Sequence, residues 1–500
     1  MLTEPLQTAA RTTAGRAGRP VLPRRVPRLL PCLAGLALAL GTCGGAFSAP
    51  AGKASARNPA KAATAPAAPA AAEKPANQSQ CGEEDALPSS SGRDARMVDT
   101  QFIDPRSQLQ ELVDLTLKRS QALGAANMLA QAARLDWEEA RAARLPQVNL
   151  AGSLSNVGVK AGDLPVSHGN QGRASLTVSA PLYDFGRNSM LASWRSQLAE
   201  SARLGLVSSE QQLALQTVSL AMDRSRYQLQ GQVYAQYVRK MSCLVEALDT
   251  IVKADRGRAS ELVQAVKNRQ QAELSVQQTQ SALVQTEARL RRLVGDNLPP
   301  SASYSALLTQ VPDLEEMQRD VVSAPDVAQL DAQAKAQSSY ADSVAASFKP
   351  QINVTGTGAA IAGFGKGAEW SAGLSVSMPI YNATAEPAIN SARKRAEAAR
   401  LQREDAIEAR RYRLIDIHES AVSSFDRARR IVDILRNSDR LRVSTLQQWQ
   451  QLGRRSLFDV MGSESDYFSL RVAHVNALFD GQQAVAMMWS MGRGVMTPLR

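Results

Sequence analysis

The sequence predicts an α+β membrane protein built by internal duplication, each copy setting one β-hairpin among very long, polar α-helices. Three observations predict it. Matching segments recur at a nearly constant offset: Pro146 and Pro350 are 204 residues apart, Pro181 and Pro379 198, Ser260 and Ser456 196, Gly295 and Gly492 197. Each copy contains a stretch where apolar and polar residues alternate strictly. No proline occurs between Pro181 and Pro299, or between Pro387 and Pro498, so helices much longer than the usual three or four turns have nothing to break them.

Composition narrows the class. A mean hydropathy of −0.24 excludes a polytopic helical membrane protein. Only 5% of the 500 residues are aromatic, few for a large compact core. The net charge of +11 suggests nucleic acid only until it is located. Residues 1–49 hold six arginines and one glutamate, and residues 99–500 keep a net charge of only +5. There the signs alternate along helical patterns, as on solvated faces, and no nucleic-acid reader motif is present.

In chain order, residues 1–48 read as a secretory signal. Arg24, Arg25 and Arg28 precede the apolar run Leu29–Leu40, and small residues follow up to a cleavage site after Ser48. The run is too short to span a bilayer as a helix. Cys43 ends a Leu-Gly-Thr-Cys tetrad that marks a possible lipidation site. Residues 49–98, rich in Ala, Pro, Lys and Ser, cannot bury a core and read as a disordered linker. Cys81 and Cys243 read as two unpaired thiols, with no CxxC or Cys/His metal spacing anywhere.

The first copy occupies 99–295, an inter-repeat segment 296–324, and the second copy 325–495. In copy one Ala174, Leu176, Val178, Ala180 and Leu182 alternate with Arg173, Ser175, Thr177 and Ser179. In copy two Trp370, Ala372, Leu374, Val376, Met378 and Ile380 alternate with Ser371, Gly373, Ser375 and Ser377. Each pairs with a weaker preceding strand, giving hairpins 147–183 and 351–381 across Gly-rich loops at 158–172 and 361–369. Strands of about ten residues cross a bilayer when tilted ~45°. Leu176, Val178, Leu374 and Val376 are then expected to face lipid, and Thr177 and Ser375 a lumen. Open sheet edges cannot exist in lipid, and closed barrels need about eight strands or more. Four strands per chain therefore require an oligomer, and three chains give twelve. Residues 187–254 and 388–450 each read as one helix on the order of 100 Å long. Each turns at Gly257 or Gly453 and returns as a shorter helix, 259–294 or 456–491. Narrow apolar stripes on such polar helices are coiled-coil material.

The order helix, LPQVNL, hairpin, PLYDFG, long helix, G-R-x-S, helix, present twice over about residues 105–495, resembles the TolC family of outer-membrane channel proteins. The resemblance implies a homotrimer in outer-membrane lipid, with a twelve-stranded β-barrel continuous with a long α-helical coiled-coil tunnel in the periplasm. It implies no cofactor, no metal and no reaction. The partners implied are a periplasmic adaptor (membrane fusion protein) and an inner-membrane pump. The run from Gln447 to Ala484 further resembles the subgroup serving type I secretion with an ABC transporter; the alternative pump is a proton-driven drug exporter of the RND type. The helix turns at Gly257, Arg258, Gly453 and Arg454 are the implied adaptor-docking tips. The family motif G-x-R-x-x-x-D-V falls on Gly453, Arg455, Asp459 and Val460, so Asp459 and Arg455 are gate candidates, Asp459 supplying a ring of three carboxylates. Gly462 stands where a second acid is common in the family, and Val263 where copy one would place an acid opposite the arginine.

Two other classes are weaker. A periplasmic coiled-coil adaptor has one helical hairpin and lacks duplicated amphipathic hairpins. A secreted enzyme needs a site, yet His168, His418 and His474 form no pair. The stretch from Gly358 to Lys366 has the wrong lysine spacing for a phosphate loop and reads as a hairpin tip.

Overall fold

A computed structural model describes residues 104–159, 162, 167–300, 304–452 and 455–499. The expected signal, the linker, Cys43, Gly453 and Arg454 lie outside the described residues.

Two helices open the first copy where the sequence suggested one: α1 (Pro105–Arg119) and α2 (Gln121–Ala142). The break is at Ser120, whose extended backbone ends α1 while its hydroxyl accepts from Leu123 N and caps α2. Strands β1 (Gln147–Val159) and β2 (Ser167–Tyr183) follow, then α3 (Arg187–Ala254) and α4 (Ala259–Val294). The inter-repeat segment carries the short α5 (Leu314–Asp320). The second copy comprises α6 (Pro325–Ser347), β3 (Gln351–Gly363), β4 (Gly367–Ser377), α7 (Ala385–Leu452) and α8 (Leu457–Met491). The duplication shows directly in length. Helices α3 and α7 each have 68 residues, roughly 100 Å at 1.5 Å per residue, and their return helices have 36 and 35.

The four strands form one antiparallel sheet in the order β1-β2-β3-β4, so the two hairpins join along β2 and β3. The strands run further than their hydrophobic alternation suggests. Asn170–Gly172 and Ile361–Gly363, assigned from sequence to Gly-rich loops, are paired residues, as is the stretch from Gly358 to Gly363. Glycine and alanine carry little strand preference of their own, but their backbone groups complete the ladder as well as any others.

Core packing is thin and runs along the helices. In α4 the buried positions Ala265, Ala272, Thr279 and Thr286 recur every seven residues, the spacing of a coiled-coil seam. On α7 the buried stripe is Leu414, Ala421, Phe425, Ala428 and Ile431. The Phe425 ring lies against Gly481 of α8, where a Cβ would meet it at 2.9 Å, so the glycine sets how closely the two helices approach. The C-terminal turn anchors this packing: Val495 and Leu499 are buried in a cluster with Leu109 and Leu112 of α1 and Val218 of α3.

Candidate functional site

The sheet has two chemically opposite faces. One carries Val148, Leu150 and Leu154 of β1, Leu176 and Val178 of β2, and Leu374 and Val376 of β4, in register across the strands. All of these are exposed, Leu154 to 92% and Leu150 to 79%. The other face carries Asn149, Ser175, Thr177, Thr355, Thr357, Ser371 and Ser375. On β2 and β3 its residues are the more sheltered ones: Ser175, Thr177, Thr355 and Thr357 are half-buried, and Ala359 and Ile361 are buried. The polar face is thus concave and the apolar face convex, the reverse of a water-soluble sheet over a core. Leu176, Val178, Leu374 and Val376 lie on the convex apolar face, and Thr177 and Ser375 on the concave one.

The concave face holds features that alternation alone did not reveal. Arg173 Nη2 of β2 reaches across β3 to Glu369 Oε2 of β4 at 3.1 Å, above buried Ile361. Thr177 and Thr357 Oγ1 atoms lie 3.4 Å apart. The sequence placed Glu369 in a loop, so this cross-strand pair could be found only once the register was known. Among the described residues the edges of β1 and β4 have no strand partner.

Each hairpin joins its long helix through a built corner. At the first, Asp184 accepts from Gly186 N at 3.0 Å and Asn188 N at 2.8 Å, while Gly186 takes a φ of +85° that favours glycine. At the second, Asn382 Oδ1 accepts from Thr384 N at 2.9 Å and Thr384 Oγ1 at 2.7 Å. Beside these corners the large side chains Tyr183, Ile380 and Tyr381 are exposed, Ile380 to 96%.

At the far end of the helices, the first turn spans Arg256–Arg258. Asp255 Oδ1 accepts from Gly257 N at 2.9 Å, and Arg258 pairs with Glu261 at 2.8 Å. Glu261 is the third residue of α4, and this pair is local to the first turn; Val263, two residues further on, is exposed. In the second turn, Ser456 caps α8 with a reciprocal box: its hydroxyl accepts from Phe458 N at 3.0 Å, and Asp459 Oδ2 accepts from Ser456 N at 3.3 Å. Arg455 Nη1 lies 3.8 Å from the same Asp459 oxygen, and both side chains are about half exposed. Asp459 therefore has a capping task in addition to any role in a pore. Arg258 and Arg455 come together with Ile251, Trp449 and Gln450 around a single cleft of about 400 Å³ between the two turns.

One ionic cluster had no sequence signal. Glu464 of α8 is fully buried; Arg442 Nη1 lies 3.4 Å from one carboxylate oxygen and Lys240 Nζ 3.9 Å from the other. The Arg442 guanidinium also stacks 4.5 Å over the Tyr467 ring. It ties α3, α7 and α8 together. Nearer the sheet, Arg226 of α3 pairs with Asp480 of α8, and Gln483 donates to Asp223 at 2.7 Å. Burial pushes the Asp223 carboxyl up, partly offset by the Gln483 hydrogen bond and by Arg226.

Cys243, expected as a free thiol, is disulfide-bonded; sequence spacing gives no guide to a pairing made in space. Among the described residues no group of three or more His, Cys, Asp or Glu could hold a metal ion, and no described helix is long and apolar enough to cross a membrane.

The family model for outer membrane efflux proteins matches residues 112–296, within the first copy. No curated protein matches the chain. Solved structures do. The chain resembles CusC, a channel whose folding and transmembrane channel formation have been described, at 19% identity and a TM-score of 0.70, over 77% of this chain and 92% of that one. It resembles the outer membrane protein VceC from Vibrio cholerae at 17% identity and 0.69, over 77% and 96%. It resembles the MtrE outer membrane channel of Neisseria gonorrhoeae, solved in its open state, at 17% and 0.67, over 77% and 88%. The fold is that of the TolC-like channels: a strand domain of two hairpins on duplicated long helices.

Proposed function

We propose that this chain is one protomer of a trimeric outer-membrane duct, the outer component of a tripartite efflux system in a Gram-negative envelope. The observation that carries the reading is the inverted sheet. Its convex face is apolar and exposed, its concave face is polar, and neither edge is paired among the described residues. Three such sheets joined edge to edge leave no open edge, put apolar side chains on lipid and surround water with Ser, Thr and Asn. The helices then continue the wall into the periplasm, where their polar faces meet water on both sides. The disulfide at Cys243 fits an oxidising compartment. The duct catalyses no reaction; a periplasmic adaptor docks at the helix turns around Gly257, Arg258, Gly453 and Arg454, and an inner-membrane pump supplies the cargo.

Efflux of small molecules has better support than type I protein secretion, because the matching family model is that of outer membrane efflux proteins. At the turns, Asp459 supplies one carboxylate per chain to a ring at the periplasmic entrance, with Arg455 beside it. Half exposure of Asp459 and its fixed capping geometry support that placement. The test is a deletion strain with two readouts: accumulation of a fluorescent cationic dye, and the proteins secreted into the medium. Dye accumulation with an unchanged secreted set supports efflux. Loss of a secreted protein with normal dye export overturns it in favour of type I secretion.

A further inference from the structure

The turn between β3 and β4 does something strand alternation forbids. Even-numbered residues of β3, from Val354 to Ala362, lie on the convex apolar face. Continued by two, the alternation would send Phe364 outward to lipid, where a phenylalanine belongs. The structure sends it inward. Gly363 takes a φ of +88° and Gly365 one of +73°, so the chain folds back over the end of β2. There Phe364 N donates to Asn170 O at 2.9 Å, and Gln171 Nε2 donates to Phe364 O at 3.1 Å.

The side of the sheet is settled by two glycines of β2. A Cβ on Gly172 would meet Leu154, a residue of the convex face. A Cβ on Gly169, three residues away and on the opposite face, would lie 2.8 Å from Phe364 Cβ and 2.9 Å from its ring. The ring therefore occupies the concave face, on a patch that only glycine leaves free. Below it on that face come Gln171, then the Arg173–Glu369 pair, then the small hydroxyl residues.

We propose that Phe364 and the inward-folded turn 363–366 form, three times over, an aromatic collar that sets the aperture of the duct at its extracellular exit. The inference rests on the trimeric-duct reading, which places the hairpin tips outside the cell and the concave face around water. Twelve strands ~4.8 Å apart at a tilt of ~40° close with a backbone radius of roughly 12 Å. Rings and turn backbone laid on that wall narrow it at one level, while the Ser and Thr wall beneath stays smooth. The Phe364 rings are uncharged and the Arg173–Glu369 pair below them is balanced, so the rings sort by size, while exposed Lys366 adds one positive charge per chain at the rim of the same turn. Gln171 is a positioning residue, holding the turn down by its hydrogen bond.

The experiment uses the full trimer in planar bilayers with graded neutral polyethylene glycols added to one side only. Wild type, Phe364→Ala, Phe364→Trp and Gln171→Ala are compared after cold gels show that each retains the heat-stable trimer. From the extracellular side, Phe364→Ala and Gln171→Ala should admit larger polymers than wild type, and Phe364→Trp only smaller ones. From the periplasmic side the cut-off should not move. An extracellular cut-off that is the same in all four proteins overturns the collar, even while the channels themselves uphold the duct. A wild type that conducts no ions at all overturns the duct reading, and the collar with it.

Discussion

Replacing Val376 with arginine tests the sheet faces most sharply. Val376 is 68% exposed on the convex face of β4, beside Ile352. Along β4 and its continuation, exposed Trp370 and exposed Tyr381 are eleven residues apart. At ~3.3 Å per residue and ~40° tilt this is at most roughly 28 Å, close to the ~25 Å apolar band of outer-membrane barrels between its aromatic girdles. Val376 lies near the middle of that interval. An arginine there should cost ~2–4 kcal/mol per chain, the figure for a cation at the bilayer midplane on a barrel's lipid face. Three copies act in one trimer, so the assembled barrel loses roughly 6–12 kcal/mol if the sites are independent. Ser375→Arg, one residue away, puts the same charge on the concave face beside Asn353 and should cost close to nothing. The assay is the fraction of heat-stable trimer in isolated outer membranes, with its melting temperature on cold gels. Equal losses for the two variants, or a greater loss for Ser375→Arg, would refute the assignment of faces.

Glu464→Ala removes the carboxylate that buried Arg442 and half-buried Lys240 share, while Arg442 keeps Asp439 at 2.8 Å, and should destabilise the helical part by about 1.5–3 kcal/mol, read as a lowered thermal midpoint by circular dichroism. Asp223 bears on pH. Its folded-state pKa is raised by burial, so the folded form resists ionisation: the cost is absent below the ordinary carboxylate pKa and grows as pH rises through the raised value. Asp223→Asn should therefore match wild-type stability at acid pH and exceed it at neutral pH. A variant equal to wild type at both would show that Gln483 and Arg226 offset the burial completely. Asp459→Asn removes the proposed ring of three carboxylates while an amide can still cap Ser456, and should make the channel less cation-selective by reversal potential under a salt gradient. An unchanged reversal potential places Asp459 on the outer face.

Much of this architecture is legible because its signals are long. A 68-residue helix without proline is visible in sequence, and α3 and α4 begin and end where Gly186, Gly257 and Gly295 suggest. The convex face was readable from Leu176, Val178, Leu374 and Val376, because apolar side chains stand there at every second position. The concave face demands only that residues be small or polar, so β2 before Arg173 and β3 after Ala360 looked like loop. Ser120 breaks the first helix with no proline or glycine to announce it, since an extended N-cap serine suffices. The Glu464 cluster and the Arg173–Glu369 pair join residues from different elements, and no local pattern encodes such a meeting. Phe364 was invisible for a related reason: its inward course depends on the left-handed backbone of Gly363 and on the bare surface of Gly169, nearly 200 residues earlier.

The central claim is that the four-stranded sheet cannot stand alone and is one third of a closed barrel. The most direct test is the mass of the mature protein, extracted from outer membranes in a mild detergent and measured by native mass spectrometry. The account predicts a single species of three chains that survives dilution, because the unpaired edges of β1 and β4 are joined between neighbours. A stable monomer in that detergent, or a protein recovered only with the inner membrane, would contradict it.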